Sequence, residues 1–305
     1  MSDITYVDRL TQKEENEKVY GQLFIEILYG KGLLSRLISS IVLPLVARIS
    51  FLSSIYGAMQ KSSLSRRKVK PFIRAFQIDP LEFVEPVEAF RSFNDFFIRK
   101  LKKNVRPFAQ GDDVLIMPAD ARYLVFPNIS QADGFWVKGK KFSLKELLKN
   151  DSLAERFEGG AMAMARLCPV DYHRFHFPCD GVPGTPQLIN GPLYSVNPLA
   201  LKNNIEIISQ NKRVVTLIET QRFGSILYIE IGATNVGSIH QTFTPGQPCS
   251  KGDEKGYFSF GGSCLVLLFE PNRIVFDPDL IDVSSRKMEV RGLLGQSLGK
   301  FKHSN

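Results

Sequence analysis

Hydrophobic and polar positions change their spacing along the chain. Between residues 33 and 52 the apolar residues recur every three or four positions, which predicts one face of an amphipathic helix. The longest charge-free run there, residues 37–47, has 11 residues and includes Pro44. Because a helix needs about 20 apolar residues to cross a bilayer, we expect this segment to lie on a membrane surface. A core helix of a soluble domain is the alternative.

From about residue 114 the pattern changes to short apolar runs between turn residues, which predicts strands. The runs are residues 114–117, 123–126, 214–219, 226–231, 265–269 and 273–276. The sequence therefore predicts an α+β protein. We expect a helical, amphipathic, membrane-facing region over residues 1–110 and a β-rich catalytic body over residues 111–305. Arg106-Pro107 and Gly111-Asp112-Asp113 interrupt the pattern between them.

The charge distribution supports this division. The 305 residues include 39 Lys and Arg against 31 Asp and Glu, a net charge of +8. Residues 31–78 hold nine basic residues and no acidic one, and so account for the whole positive excess. A basic segment on a near-neutral body favours an anionic lipid surface as partner. Nucleic acid is not expected, because no recognisable reading module is present.

Targeting signals and cysteines limit the setting of the protein. The N-terminus is polar and lacks the basic start and apolar block of a secretory signal, so we expect no export by that route. The four cysteines form no CxxC pair, which favours reduced, mostly buried thiols in a reducing compartment. No metal site is expected, since HExxH and paired CxxC motifs are absent.

Three polar segments in the apolar body carry candidate chemistry. Asp120 follows an apolar strand, His173 and His176 lie three residues apart, and Ser263 follows Gly-Gly. Taken singly, these are also typical of a turn-forming acid, structural histidines and a tight turn. Together they supply a serine nucleophile, a histidine base and an orienting acid. On an extended chain, residues three apart point to opposite faces, so we expect different roles for the two histidines.

A serine directly after two glycines can act on its own chain. Glycines tolerate the strained backbone that exposes a scissile peptide. Attack of the Ser263 hydroxyl on the Gly262 carbonyl would form an ester, and β-elimination would leave dehydroalanine. Hydrolysis would then give a pyruvoyl group, an electron sink for decarboxylation of an amine. The G-x-S-x-G elbow of many hydrolases is absent.

Six ordered sequence blocks carry a family resemblance between about residues 93 and 276. They are residues 96–101 (FFIRKL), 106–107 (RP), 118–120 (PAD), 171–176 (DYHRFH), 232–239 (GATNVGSI) and 251–258 (KGDEKGYF), followed by residues 260–263 (FGGS). On these blocks the chain resembles the phosphatidylserine decarboxylases.

The resemblance implies residue roles. Asp120, His176 and Ser263 match the family's maturation triad, and His173 matches the residue that serves decarboxylation. Cleavage between Gly262 and Ser263 would give a β chain of residues 1–262 and an α chain of residues 263–305, which stay associated. The cofactor would be the covalent pyruvoyl group made from Ser263, with no metal.

The resemblance also implies a reaction. The pyruvoyl carbonyl would form a Schiff base with phosphatidylserine, and loss of CO2 would yield phosphatidylethanolamine, a step of phospholipid biosynthesis. Two departures from the family pattern are Ala121 for Gly and Cys264 for Thr. Neither removes a reacting atom, so we expect them to affect the rate of maturation more than the type of reaction.

These expectations imply a location, a set of partners and two alternative functions. We expect a peripheral protein on the cytoplasmic side of the cell membrane. Its partners would be phosphatidylserine, the anionic membrane surface, the two chains of the cleaved proenzyme and, as one option, a second copy in a homodimer. The alternative enzyme is a membrane-associated serine hydrolase acting on lipid esters. A non-enzymatic membrane-bound scaffold is a third hypothesis.

Overall fold

The computed structural model describes residues 4–17, 57–132, 143–204, 206–233, 238–261 and 263–302. The predicted amphipathic helix over residues 33–52 lies outside these ranges, as does Gly262. Within the described part of the chain, no helix is both long and apolar enough to span a bilayer.

The described residues form sixteen strands. In chain order these are β1 (Thr5–Asp8), β2 (Lys13–Asn16), β3 (Val114–Ile116), β4 (Ala121–Phe126), β5 (Ala161–Leu167), β6 (Arg174–His176), β7 (Val182–Pro183), β8 (Gln187–Ile189), β9 (Arg213–Glu219), β10 (Ser225–Gly232), β11 (Ile239–Gln241), β12 (Glu254–Phe258), β13 (Ser263–Phe269), β14 (Ile274–Phe276), β15 (Glu289–Gly292) and β16 (Ser297–Phe301). The six apolar runs in the sequence each fall on a strand to within one residue.

Ten of these strands form one large sheet. Its order is β2-β1-β15-β4-β5-β13-β10-β9-β7, and β8 also pairs with β9. The β1–β15 pair is parallel and the others are antiparallel. Two three-stranded sheets accompany it, in the orders β11-β12-β6 and β14-β16-β3. Because β13 lies between β5 and β10, its first residue is deep inside the large sheet.

Seven α-helices with both ends described complete the fold. They are α1 (Val69–Phe76), α2 (Phe93–Phe97), α3 (Leu144–Leu148), α4 (Asp151–Arg156), α5 (Pro198–Asn203), α6 (Ile207–Gln210) and α7 (Pro278–Ser285). Short 3-10 helices span Ser63–Lys68, Pro80–Glu82, Val87–Ala89, Lys103–Val105 and Ile129–Ala132. Helix α2 is preceded by Ser92, whose side chain accepts a hydrogen bond from the Asp95 N–H at 3.1 Å. Ser92 is therefore a typical N-cap residue.

Both faces of the large sheet are covered, which explains the uninterrupted apolar sequence of β13. Cys264, Val266 and Leu268 belong to one buried cluster, whereas Leu265 and Leu267 belong to another on the opposite face. Since side chains alternate along a strand, a strand buried on both faces needs apolar residues at every position. Burial of each large side chain contributes roughly 1.5–3 kcal/mol, which makes this strand hard to displace.

A cluster of phenylalanines joins the helical front of the described chain to the sheet. Its members include Phe72, Phe83, Phe90, Phe93, Phe96, Phe97 and Phe260. The rings of Phe93 and Phe260 lie 5.1 Å apart in an edge-to-face arrangement, as do those of Phe97 and Phe260 at 4.9 Å. The front elements therefore pack directly on the residues that precede Ser263.

The predicted α+β class and the β-rich body are confirmed, but the start of the chain differs from the prediction. Residues 5–16, which the sequence assigned to a helical region, form the hairpin β1–β2 at one edge of the large sheet. β1 pairs with β15 from near the C-terminus, a long-range contact that local sequence patterns do not reveal. The domain boundary near residue 110 stays a prediction.

Candidate active site

Ser263 is the first residue of β13. Its backbone lies opposite Leu167 of β5 and Gly232 of β10, and its side chain has no solvent exposure. Because side chains alternate along the strand, the hydroxyl shares a face with Leu265 and Leu267. It is therefore held between the large sheet and the elements packed on it.

His173 is the side chain in contact with this hydroxyl. Its Nδ1 lies 3.3 Å from the Ser263 Oγ, and its Nε2 lies 2.9 Å from the carbonyl oxygen of Cys168. A carbonyl oxygen only accepts hydrogen bonds, so Nε2 carries the proton and Nδ1 has a free lone pair. The Ser263 hydroxyl consequently donates to His173, in the arrangement that a general base requires.

The surroundings of His173 keep its imidazole neutral. The ring is fully buried and is stacked on Phe97, with the ring centres 3.7 Å apart and an interplanar angle of 23°. Burial, helped by the nearby charge of Arg99, lowers the pKa of His173 to about 3. At neutral pH the ring is therefore free to accept a proton.

His176 ends β6 and is also buried, but it has different partners. Its Nδ1 donates to the carbonyl oxygen of Gly252 at 2.9 Å. Its Nε2 is buried and has no hydrogen-bond partner. Burial lowers the pKa of His176 as well. In each of the two histidines, one ring nitrogen thus donates to a backbone carbonyl and the other carries a lone pair. Only the lone pair of His173 accepts a hydrogen bond from Ser263.

Asp120 lies between β3 and β4 and is held by Arg106. The Arg106 Nη2 and Nε donate to the carboxylate at 2.7 and 3.0 Å, and the Leu294 N–H donates to it at 2.8 Å. The same guanidinium binds Glu82 at 2.9 and 3.0 Å. Burial alone would lower the pKa of Arg106, but these two carboxylates raise it, so the group stays charged.

The four residues of the predicted site are therefore only partly brought into contact. Ser263 and His173 share a hydrogen bond. Asp120 forms its hydrogen bonds with Arg106 and Leu294, and His176 forms its side-chain hydrogen bond with Gly252. Neither an ion pair nor a hydrogen bond joins Asp120 to His176, and none joins His176 to the Ser263 side chain. Gly262, on the other side of the predicted cleavage, is outside the described residues.

A group of charged residues lies behind the turn that carries His173. This ionic cluster consists of Arg122, Arg166, Glu17, Asp171 and Glu289, each with a side chain less than 10% exposed. Arg166 binds Glu17 at 2.5 Å and Glu289 at 2.6 Å, and Arg122 binds both Asp171 carboxylate oxygens at 2.6 Å. The Asp171 carboxylate accepts a hydrogen bond from the Cys168 N–H at 2.7 Å. The cluster thereby holds the turn at both ends.

Sequence reasoning missed several residues that shape the site. Phe97 and Arg99 fall in the block at residues 96–101, but their polar and aromatic types did not indicate contact with His173. Cys168 was considered only as a thiol, whereas its carbonyl is the group that orients His173. Backbone roles of this kind leave no trace in residue type. Glu17 lies far from every motif, and no signal in the sequence connects it with the site.

The two departures from the family pattern fit the structure without strain. Neither Asp120 nor Ala121 has a positive φ angle, so the glycine that the family prefers after the acid is not needed for backbone conformation here. Cys264 is fully buried in the apolar cluster on the face opposite Ser263. Its thiol points away from the reacting hydroxyl.

In the described parts of the chain, no three His, Cys, Asp or Glu side chains are grouped as a metal site would need. All four cysteines are free thiols, and Cys168, Cys179 and Cys264 are buried.

Ser263 is buried, is hydrogen-bonded to a neutral histidine and follows Gly261-Gly262 in the sequence, at the head of a central strand. This arrangement is typical of the class of serine–histidine enzymes. Comparison with known proteins gives the family. The model of the phosphatidylserine decarboxylase family matches residues 93–300. The chain belongs to the phosphatidylserine decarboxylase family.

Curated relatives match over almost the whole chain. A phosphatidylserine decarboxylase proenzyme of Chlamydia muridarum is 48% identical over 302 residues, covering 98% of this chain and 97% of the relative. A phosphatidylserine decarboxylase proenzyme of Chlamydia pneumoniae is 48% identical over 295 residues, covering 97% and 96%. One from Chlamydia trachomatis is 46% identical over 302 residues. The similarity thus includes the N-terminal part that the family model leaves out.

Proposed function

We propose that this chain is a self-cleaving proenzyme that matures into a decarboxylase of phosphatidylserine, releasing CO2 and forming phosphatidylethanolamine. The observation that carries the proposal is the fully buried Ser263, first residue of β13 and directly after two glycines, at the position that matches the family's cleavage site. Membership of the family and near-complete coverage of proenzyme relatives support it.

Maturation converts Ser263 without any outside cofactor. The Ser263 Oγ attacks the Gly262 carbonyl, the C–N bond breaks, and an ester replaces the amide. β-Elimination breaks the bond between Oγ and Cβ, releasing residues 1–262 with a carboxylate end and leaving dehydroalanine at position 263. Tautomerisation and addition of water then release ammonia and leave a pyruvoyl group. Because β13 is hydrogen-bonded to both β5 and β10, the two chains remain one folded unit.

The surroundings of residue 263 fit this pyruvoyl group. Serine offers the β-oxygen that elimination requires, and the position is fully buried beside a neutral imidazole. When formed, the group supplies an electron sink that withdraws charge from the carbon losing CO2. Burial excludes the bulk water that would compete for reactive species there.

His173 is proposed to move the proton during turnover. Its Nε2–H is fixed by the Cys168 carbonyl, so Nδ1 faces residue 263 and can take up a proton and return it. General acid or base assistance of this kind is worth about 10² to 10⁴ in rate. The low pKa of about 3 keeps the ring neutral before a proton is transferred to it.

Asp120 and His176 are proposed to serve maturation. The free lone pair on the His176 Nε2 supports a role as a base. For Asp120 to orient this ring, its carboxylate must accept a hydrogen bond from the imidazole in addition to those that it now accepts from Arg106. We expect His176→Asn to stay uncleaved, and His173→Asn to be cleaved but slow. The reverse pattern would transfer the maturation role to the histidine that contacts Ser263.

A membrane surface is the proposed location, on the cytoplasmic side of the cell membrane and without a membrane span. Leu64 and Leu81 are 72% and 76% exposed, and Leu64 lies within the basic segment Ser63–Lys68. Exposed apolar side chains beside basic residues suit an anionic bilayer. Flotation with vesicles containing phosphatidylserine tests this, and equal binding to neutral vesicles or after replacement of Arg66, Arg67 and Lys68 would contradict it. A homodimer remains a prediction.

The experiment that tests the proposed function is intact-mass analysis with a CO2 assay. We expect two chains, with a keto group on the fragment that starts at residue 263, and release of labelled CO2 from carboxyl-labelled phosphatidylserine. Hydroxylamine, which traps carbonyls, should stop the release. A single chain with an unmodified Ser263 that hydrolyses lipid esters would establish the hydrolase alternative instead.

A further inference from the structure

Arg99 is a buried cation with no carboxylate partner. The residue is 4% exposed, and no Asp or Glu of the described chain lies within ion-pair distance of it. Its Nη2 donates to the carbonyl oxygens of Val170 and Asp171, each at 3.2 Å, and its Nε has no partner. Burial lowers the pKa of Arg99 to about 10. A charge that costs this much to bury calls for a functional reason.

Aromatic rings provide the rest of the binding site for the guanidinium. Its central carbon lies 4.7 Å from the ring centre of Phe96 and 5.2 Å from that of Phe83. These contacts compensate a buried cation in part, by attraction to the ring faces. They also fix the plane of the guanidinium, so that its Nη2 points at one backbone turn while its Nη1 donates to the Phe96 carbonyl at 3.4 Å.

That turn is the one that orients His173. The Asp171 N–H donates to the Cys168 carbonyl at 2.9 Å, and the same carbonyl accepts the His173 Nε2–H at 2.9 Å. Arg99 binds the carbonyls of Val170 and Asp171, which lie between Cys168 and His173 in the chain. A shift of the turn would therefore move the imidazole relative to residue 263.

The chain around Arg99 also contacts the imidazole directly. Phe97, two residues earlier, is stacked on the His173 ring at 3.7 Å. One short segment thus supports both the ring and the turn that carries it. The positive charge of Arg99 adds to the effect of burial in lowering the pKa of His173, which keeps the ring neutral.

The geometry points to Arg99 as a positioning residue for decarboxylation: its guanidinium fixes the Val170 and Asp171 carbonyls and so keeps the His173 Nδ1 aimed at residue 263. The inference rests on the proposed role of His173. Lysine at position 99 keeps the positive charge but lacks the planar guanidinium with its several N–H donors. Methionine fills the same space with neither the charge nor the donors. The two substitutions therefore separate the two contributions of Arg99.

The experiment compares wild type, Arg99→Lys, Arg99→Met and the control Lys102→Met, which removes an exposed cation three residues away. Intact mass gives the cleaved fraction of each protein, and kcat and KM for phosphatidylserine in mixed micelles are expressed per cleaved molecule. The pH dependence of kcat and the melting temperature are measured on the same samples. Misplacement of a catalytic group by about 1 Å costs roughly 100-fold in rate.

We expect Arg99→Met to lower kcat about 100-fold with little change in KM, and to move the acid limb of the kcat profile to higher pH, because the pKa of His173 rises when the charge is gone. Arg99→Lys should lose kcat but keep the wild-type acid limb. The inference would be overturned if Arg99→Met had the same kcat and the same acid limb as Lys102→Met. It would also be overturned if Arg99→Met lowered the melting temperature but left kcat per cleaved molecule unchanged.

Failure of the proposed function is distinguishable from failure of this inference. A wild-type protein that stays uncleaved or releases no CO2 would reject the function itself. A cleaved and active wild type with normal Arg99 variants would reject only the positioning role.

Discussion

The turn from Cys168 to His173 has an apolar side and an ionic side. On the apolar side, His173 is stacked on Phe97 and meets the Ser263 hydroxyl, both of them uncharged. On the ionic side, two arginines and three carboxylates of the ionic cluster bind one another at 2.5–3.6 Å. Both sides are equally shielded from solvent, but their chemistry is opposite.

The difference shows how one fold separates reactivity from anchoring. Among rings and aliphatic side chains, the neutral form of a histidine is favoured, so His173 keeps a free lone pair on Nδ1 at neutral pH. In the ionic cluster each charge has an opposite partner, which holds the side chains in place. The turn that carries His173 is thus held by the ionic cluster, whose side chains do not contact the Ser263 hydroxyl.

The largest expected effect comes from removing the hydroxyl on the apolar side. Ser263→Ala lacks the nucleophile and the β-oxygen, so we expect an uncleaved chain with no CO2 release, measured by intact mass and the labelled assay. Its fold should be retained, because β13 keeps its pairing with both neighbours. A processed and active alanine variant would break the assignment of the reactive residue.

Removing the base while keeping the hydroxyl should have a smaller effect. For His173→Asn we expect a cleaved protein with kcat lowered by about 10² to 10⁴, since proton transfer is lost but the carbonyl group is still formed. Single-turnover CO2 release measures this. A variant with unchanged kcat would show that His173 moves no proton during turnover.

On the ionic side the expected effect is on stability. Glu17→Gln leaves two buried arginines short of one charge, and breaking a buried pair typically costs about 3–5 kcal/mol. Urea unfolding measures the free energy. Glu14→Gln is the matched control, because Glu14 lies in the same hairpin, is 61% exposed and is 3.8 Å from Arg286. Equal losses in the two variants would mean that the cluster does not anchor the turn.

Acid titration sharpens the same test. Burial alone would raise the pKa of Glu17, but the charge and hydrogen bonds of Arg166 and the charge of Arg122 lower it from 4.5 to about 2. A depressed pKa gives stability that is present above pH 4.5 and is lost as the pH falls towards 2, by about 3 kcal/mol. The wild type should lose more stability than Glu17→Gln in this window.

The smallest effect is expected from Ala121→Gly, which restores the residue usual in the family. Since neither Asp120 nor Ala121 has a positive φ, the rate of cleavage should not change. Glycine in a buried strand should cost about 1 kcal/mol of stability. A time course of cleavage measures the rate, and acceleration would indicate that backbone freedom at Asp120 limits maturation.

Two strands of the large sheet, β13 and β5, differ in how well their sequences predict them. The run at residues 265–269 predicts a buried strand, and β13 forms there because aliphatic residues at every position suit a strand covered on both faces. By contrast, β5 has the sequence AMAMARL, made of good helix formers. It becomes a strand because β4 and β13 flank it and because its alanines face one cluster and its methionines the other.

The candidate site divides in the same way. Residue types and their order predicted the members of the candidate site, which are a serine after two glycines, a histidine pair and an acid, because the proposed chemistry requires those atoms. Only the tertiary structure decided that His173 contacts Ser263, that a backbone carbonyl orients it, and that Glu17 supports the turn from 151 positions away or more. Such contacts depend on distances through space between distant parts of the chain, and local patterns of polarity do not encode them.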